Sequence, residues 1–396
     1  MFTVLLGVFA GLPALSIDLS APTLTLLPAA LDTSVIVAGL TLSLFMVGFA
    51  TGQFFGGRLS DRFGRRIVLL AALHIYVFGA VCCVFATSGE ALVASRFIQG
   101  AGAGACAVQA SAIVQDLFRG EVARRKQSYV TVVISVVPML APAIGAVMVQ
   151  DLGWRSVHAV LAVGGVLLTL VVALTLQESR TASARNALQG YGFRAGLTMM
   201  GESWFRRIAV TNALSYGAIF SYIAGAPVVV MGWLGYSNFV YASLFAVTAL
   251  SLTLGAYCNA GLGRRNASGD HLVMPALILQ AGATIALVLA GHGKPMLTLV
   301  IAVPALMVCC FSRGVASPNL VHLGVSGHRE NAGLAAAMIG LTQLLIGAAA
   351  SAVVAALLPR LGFAAVAVPM AVLASSAALF WRMTARAATA RPEQGL

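Results

Sequence analysis

The chain of 396 residues is 60% hydrophobic and 9% charged, with a formal net charge of +12. Soluble globular proteins carry about 25% charged residues, so this composition excludes a water-solvated globule and requires lipid around much of the surface. A positive balance of this size also raises a nucleic-acid partner, which the placement of Lys and Arg along the chain makes unnecessary.

Apolar stretches recur along the whole length, each long enough to cross a hydrocarbon core of about 30 Å as a helix. In chain order the predicted helices span 3–27, 35–57, 67–87, 91–115, 128–150 and 157–177, then 208–233, 239–262, 272–291, 296–318, 331–358 and 363–382. The first begins at Met1-Phe2-Thr3 without a basic segment or cleavage site, the pattern of a retained span rather than a signal peptide. The longest polar stretch, Gln177 to Arg207, separates six helices from six. The expected organisation is an all-α integral membrane protein with an N-terminal six-helix bundle over 1–178, a central cytoplasmic loop over 179–207, a C-terminal bundle over 208–382 and a cytoplasmic tail over 383–396.

With both termini inside, the inner loops and tail hold 19 of the 24 Lys and Arg. The outer loops hold Arg155, Lys294 and Arg360, while Arg96 and Arg313 lie within helices. This is the positive-inside bias; the charge is topological, and no nucleic acid is expected. Six cysteines (Cys82, Cys83, Cys106, Cys258, Cys309, Cys310) fall in apolar segments and are expected as small core residues. Neither they nor the scattered histidines have metal-ligand spacing, so no metal is expected.

Two features repeat along the chain. Ala21-Pro22 in the first helix returns as Ala226-Pro227 in the seventh, at an offset of 205. Gly57, ahead of Arg65-Arg66, returns as Gly261 ahead of Arg264-Arg265, at an offset of 204. Near-equal offsets predict two pseudo-symmetric halves, with a site between them near the midplane.

Between the second and third helices lies Gly57-Arg58-Leu59-Ser60-Asp61-Arg62-Phe63-Gly64-Arg65-Arg66. A tight turn there needs glycine for positive φ and close helix approach. An aspartate at its centre can accept from a helix N-terminus and be held by arginines. Gly57, Asp61, Arg62, Gly64, Arg65 and Arg66 are thus a candidate latch between two rigid-body arrangements; the plainer reading is a basic loop obeying the positive-inside rule.

This segment resembles the loop motif of the major facilitator superfamily at every defining position. The resemblance extends to the Bcr/CflA subfamily of proton-coupled drug exporters. Asp18-Leu19-Ser20-Ala21-Pro22, Gly52-Gln53, Arg96-Phe97-Ile98-Gln99-Gly100, Phe220 to Pro227 and Ala332-Gly333-Leu334-Ala335-Ala336 to Gln343 are similar to its signatures. It implies the major facilitator fold, twelve helices in two six-helix bundles, in a bacterial inner membrane. It also implies multidrug or antibiotic efflux by drug/proton antiport, with proton coupling through Asp18 and Arg96. The antiporter pattern Gly-x-x-x-Gly-Pro-x-x-Gly-Gly of helix five stands here as Val137-x-x-x-Ala141-Pro142-x-x-Gly145-Ala146, which keeps Pro142 and Gly145 and lacks three glycines. Pro138, Pro142 and Gly145 are expected to bend or loosen that helix.

Asp18 is the one acidic residue deep within a predicted helix. An ionised carboxylate facing lipid there costs about 2.5 kcal/mol or more, so it is expected to face the bundle interior. Gly11, Ala14, Asp18, Pro22 and Thr25 share one face of an ideal helix, small and polar enough to line a cavity. Such a group suits proton uptake in one state and release in another; a structural aspartate bonded to backbone carbonyls near Pro22 is the alternative. Arg96 sits about 7 Å inside the outer end of helix four, either functional or snorkelling to the interface. For Arg313, near the inner end of helix ten, snorkelling is expected. Pro22, Gln99, Asn212, Tyr216 and Tyr222 are candidate substrate-cavity residues, with an interfacial aromatic belt as the alternative for the tyrosines.

These readings converge on a monomeric secondary transporter of small amphipathic molecules working by alternating access. Its expected partners are the small-molecule substrate, protons and membrane lipid, and it is driven by the proton gradient without a cofactor. An importer or exporter of a specific metabolite on the same fold is the alternative. An enzyme or sensor would need a nucleophile–base pair, a metal cluster or a soluble domain, and a channel would need a filter sequence; the sequence contains neither pattern.

Overall fold

The computed structural model describes residues 2–118, 120–178, 193–263, 269–291, 295–328 and 331–388. Residues 179–192 of the expected central loop, 389–396 of the expected tail, and Arg264-Arg265 of the second repeat lie outside them. Among the described residues, twelve helices are long and apolar enough to cross a membrane. They are α1 Phe2–Ser20, α2 Val35–Phe63, α3 Arg65–Val84, α4 Gly89–Leu117, α5 Gly120–Leu152 and α6 Trp154–Thr175. The second six are α7 Ser203–Pro227, α8 Asn238–Gly263, α9 Gly269–Ala290, α10 Pro295–Ser326, α11 Ala332–Leu361 and α12 Ala364–Ala388. A short helix, Phe193–Gly201, precedes α7. The described residues include no strand.

Helix ends depart from the predicted ones for local reasons. The first helix, expected to reach residue 27, stops as α-helix at Ser20 and tightens to a 3₁₀ turn over Ala21–Thr25. Pro22 has no N–H to give the Asp18 carbonyl, so the i→i−4 ladder ends there. The repeat partner does the same: α7 ends at Pro227 and passes into a π-helical turn over Val228–Trp233. The second helix runs past the expected 57 to Phe63, after Ser34 Oγ accepts from the Val37 N–H at its start. Most of the presumed loop is therefore helix, and the reversal falls on Gly64 alone, at φ 101°.

The chain divides into two compact units. Unit 1 comprises Met1–Gly190, Ala224–Ala246 and Ala355–Pro359; unit 2 comprises Tyr191–Ile223, Val247–Val354 and Arg360–Leu396. Lipid offers no hydrophobic drive between helices, so packing depends on close backbone approach by small residues. In unit 1, α2 and α4 meet through glycines. A Cβ at Gly52 would lie 1.8 Å from the Ala101 carbonyl oxygen, and one at Gly104 would lie 2.1 Å from that of Phe49. Unit 2 repeats this between the corresponding helices: Gly255 of α8 abuts the Phe311 oxygen at 2.1 Å, and Gly314 of α10 abuts that of Leu252 at 2.2 Å. Gly57 is different. A Cβ there meets only Val108 Cγ2 at 3.7 Å, so the close approach expected of Gly57 belongs to its neighbour Gly56, where Ala105 Cα is 2.7 Å away.

Of the cysteines expected in the core, Cys83, Cys106, Cys309 and Cys310 are buried, Cys82 is half-buried and Cys258 is exposed. Cys258 shares its face of α8 with exposed Leu254 and Tyr257. In a span, an apolar side chain needs only lipid, not protein, as its solvent.

Candidate functional site

Asp18 occupies the last turn of α1 and is 4% exposed. Among the described residues no cation and no hydrogen-bond donor reaches its carboxylate. The face expected to line a cavity is interrupted, because Pro22 and Thr25 belong to the 3₁₀ turn and lose the 100° spacing. Gly7 and Gly11, which share the Asp18 face, lie against Val133 and Val137 of α5. A Cβ at Gly145 would lie 2.2 Å from the Leu19 oxygen. The three pairs keep one register, so α1 and α5 run parallel and the Asp18 carboxyl sits on the side of α1 turned towards α5. Pro138 and Pro142 lie within the continuous helix α5, Pro142 buried and Pro138 half-buried.

Arg96 is in the interior, 2% exposed, and does not reach an interface. Its Nη1 donates to Gln99 Oε1 at 2.7 Å, and its Nη2 donates to Ser20 Oγ at 3.0 Å and the Ser16 carbonyl at 3.3 Å. The guanidinium lies 4.3 Å from the centre of the Phe45 ring, and Tyr76 Oη and Ser16 Oγ are 2.8 Å apart. Ser16 and Ser20 stand two residues either side of Asp18, roughly 160° around the helix. Arg96 therefore grips the face of α1 opposite the acid, and the two candidate proton-coupling residues do not form an ion pair. Gln99, expected to line a cavity, is wholly buried as the Arg96 acceptor.

Unit 2 holds a second buried arginine, and here the expectation of snorkelling fails. Arg313 is 5% exposed. It donates from Nη1 to the Asn212 carbonyl and Oδ1, both at 2.9 Å, and from Nη2 to Gln343 Oε1 at 3.0 Å. Asn212 Nδ2 also donates to Gln343 Oε1 at 2.9 Å, and Ser317 Oγ donates to Asn212 Oδ1 at 3.3 Å. The guanidinium lies 5.5 Å from the Tyr216 ring centre. Three amide oxygens converging on one guanidinium outweigh a long climb to the interface. Of the tyrosines, Tyr216 is half-buried and stacks on Phe220. Tyr222 is buried, with its hydroxyl 3.3 Å from Thr248 Oγ1.

The candidate latch is a network of three carboxylates. Arg65 reaches Asp61 at 3.0 Å and Asp116 at 2.8 Å, and its Nη1 donates to Ser60 Oγ at 2.6 Å. The N-terminus of α3 is capped by Glu178, not by Asp61: Arg65 N–H and Arg66 N–H donate to its two oxygens at 2.8 and 3.2 Å. Arg66 also donates to the Ala173 carbonyl at 2.8 Å, tying α3 to α6. Arg58 and Arg62 lie over the rings of Phe54 and Phe63, at 5.8 and 5.3 Å.

A family model described as Major Facilitator Superfamily matches residues 6–352. The chain belongs to the Major Facilitator Superfamily. Its relatives include the uncharacterized MFS-type transporter YdgK of Bacillus subtilis, 29% identical over 88% of this chain and 87% of the relative. The multidrug resistance protein MdtL of Salmonella paratyphi A is 27% identical over 84% of this chain and 80% of the relative. Among solved structures, a bacterial homolog of the human lysosomal transporter Spinster, inward-facing and occupied, superposes with a TM-score of 0.78 at 16% identity, covering 100% of this chain and 98% of the other. A D-xylose–proton symporter does so with a TM-score of 0.76 at 16% identity, covering 96% of each chain. The protein is thus a multi-pass membrane protein of a family of small-molecule transporters.

For this superfamily member, reading the sequence missed Asp116 and Glu178. Both are acids beside clusters of arginine, and a search for carboxylates at the basic helix ends would have selected them. Ser16, Ser20, Phe45 and Tyr76 around Arg96 carried no such signal, since each is an ordinary residue of an apolar span.

Proposed function

We propose that the chain is a proton-coupled exporter of small amphipathic molecules, of the Bcr/CflA type, in a bacterial inner membrane with both termini cytoplasmic. The observation that carries this reading is Asp18, a buried carboxyl with no cation and no donor among the described residues. A carboxylate held that way is costly when ionised, so its charge state is tied to what surrounds it. On this reading a proton enters from the outside, rests on Asp18, and leaves to the cytoplasm as cargo displaces it. Arg96 positions α1 through Ser16 and Ser20 rather than titrating against the acid. Pro22, Asn212, Tyr216 and Tyr222 contribute to cargo binding. The Arg65 network with Asp61, Asp116 and Glu178 biases one of two rigid-body states, and the working unit is a monomer without a cofactor. The resistance named for the MdtL relatives supports efflux as the direction.

Asp18→Asn is the direct test. It is expected to abolish proton-driven efflux in everted vesicles while leaving membrane insertion intact, and undiminished transport would overturn the role. The second reading, a carrier of one specific metabolite, is favoured by the three glycines missing from the helix-five pattern and by the symporter among the structural neighbours. Counterflow in proteoliposomes under an imposed pH gradient separates the two by direction.

A further inference from the structure

The acidic residues in the segments of unit 2 are Glu202, Asp270, Glu330 and Glu393, and among the described residues none of them forms an ion pair with Arg313. Arg313 is thirteen residues short of the end of α10, about 20 Å along the axis. Arg313 thus carries its charge in the interior of unit 2, and among the described residues its hydrogen bonds all end on neutral amide oxygens. Its three hydrogen bonds use Nη1 twice and Nη2 once. Of its five N–H groups, Nε–H and one Nη2–H have no partner among the described residues. Gln343 Nε2 likewise has no acceptor among them, because both bonds to Gln343 end on its Oε1.

The cluster is built and only partly covered. Asn212 is fully buried and Arg313 nearly so, while Gln343, Tyr216 and Ser317 along its edge are half-buried. Asn212 and Gln343 hold the guanidinium in place, leaving its second edge and the Gln343 amide NH₂ as neighbouring donors without a partner among the described residues. Beside them Tyr216 and Phe220 stack at 5.6 Å, their planes 28° apart. A cation already desolvated and oriented lacks an anion more than it lacks further neutral acceptors.

We propose that Arg313 and Gln343 form an anion subsite, and that the cargo is a small aromatic or apolar molecule bearing a carboxylate. The carboxylate takes the free edge of the Arg313 fork and the Gln343 amide, and the ring lies along Tyr216. This deepens the transporter reading above and rests on it for the cargo being transported.

The test compares 2-naphthoate with its neutral isostere 2-naphthamide by titration calorimetry on the full chain in lipid nanodiscs. Naphthoate is expected to bind the wild type at least tenfold more tightly than the amide. Arg313→Gln should erase that ratio, and Arg313→Lys should keep part of it, because an ammonium supplies the charge but not the fork. Equal affinity for the two probes in the wild type, no measurable naphthoate binding, or a ratio preserved in Arg313→Gln would each overturn the subsite and leave Arg313 as a tie between α7, α10 and α11. If Arg313→Gln does not fold, the wild-type ratio and Arg313→Lys still decide. In parallel, ethidium transport under a pH gradient tests the exporter reading alone. Ethidium efflux without naphthoate preference sinks only the subsite, and naphthoate preference without any pH-driven movement of either probe sinks only the exporter.

Discussion

Charged residues in this protein divide by what answers their charge. Arg65 is answered by Asp61 and Asp116, Arg96 by the Gln99 amide, a serine hydroxyl, a carbonyl and an aromatic ring, Arg313 by amides and an aromatic ring, and Asp18 by nothing among the described residues. Glu178 answers a helix end: it satisfies two N–H groups at the start of α3 and faces the positive end of that helix. Glu178→Ala is expected to cost about 1 kcal/mol of stability, read as a lower midpoint in thermal unfolding of the detergent-solubilised protein, with Glu178→Gln recovering part of it. Wild-type stability in the alanine variant would mean that water caps the helix equally well.

At the scale of the element, glycines decide which helices touch. Those of α2 and α4 meet carbonyl oxygens, which cannot move aside without unwinding a helix, so Gly52→Ala is expected to destabilise by about 3 kcal/mol through overpacking. Gly57→Ala, although it alters a defining position of the loop motif, meets only a valine methyl at 3.7 Å and is expected to give wild-type yield and a single monodisperse peak on size exclusion. Loss of folded protein in both variants, or in neither, would contradict this division. Element ends follow the same logic: α1 and α7 stop at their Ala-Pro pairs because proline withholds one donor. That was readable in advance as a repeat at an offset of 205, but not as the 3₁₀ and π turns it produces.

At the scale of the molecule, the Arg65 network is the candidate control on conformational exchange. Arg65→Leu removes the ion pairs with Asp61 and Asp116, an interaction with the last residues of α2 and α4. Transport rate is expected to fall about tenfold, equivalent to about 1.4 kcal/mol, with cargo affinity unchanged. An unchanged rate, or an equal loss of affinity, would assign the network to packing alone. The sequence by itself determined the solvent, the twelve spans and the family, because lipid demands long uninterrupted apolar helices and that demand is local and one-dimensional. It also singled out Asp18, since a lone acid in an apolar run stands out whatever surrounds it. Only the tertiary structure decided that Arg313 lies inside unit 2 among amides, that Arg96 and Asp18 occupy opposite faces of α1, and that Glu178 rather than Asp61 caps α3. Each of these depends on partners 30 to 113 residues away or on the direction a side chain takes, and neither is encoded in the spacing of neighbours along a helix.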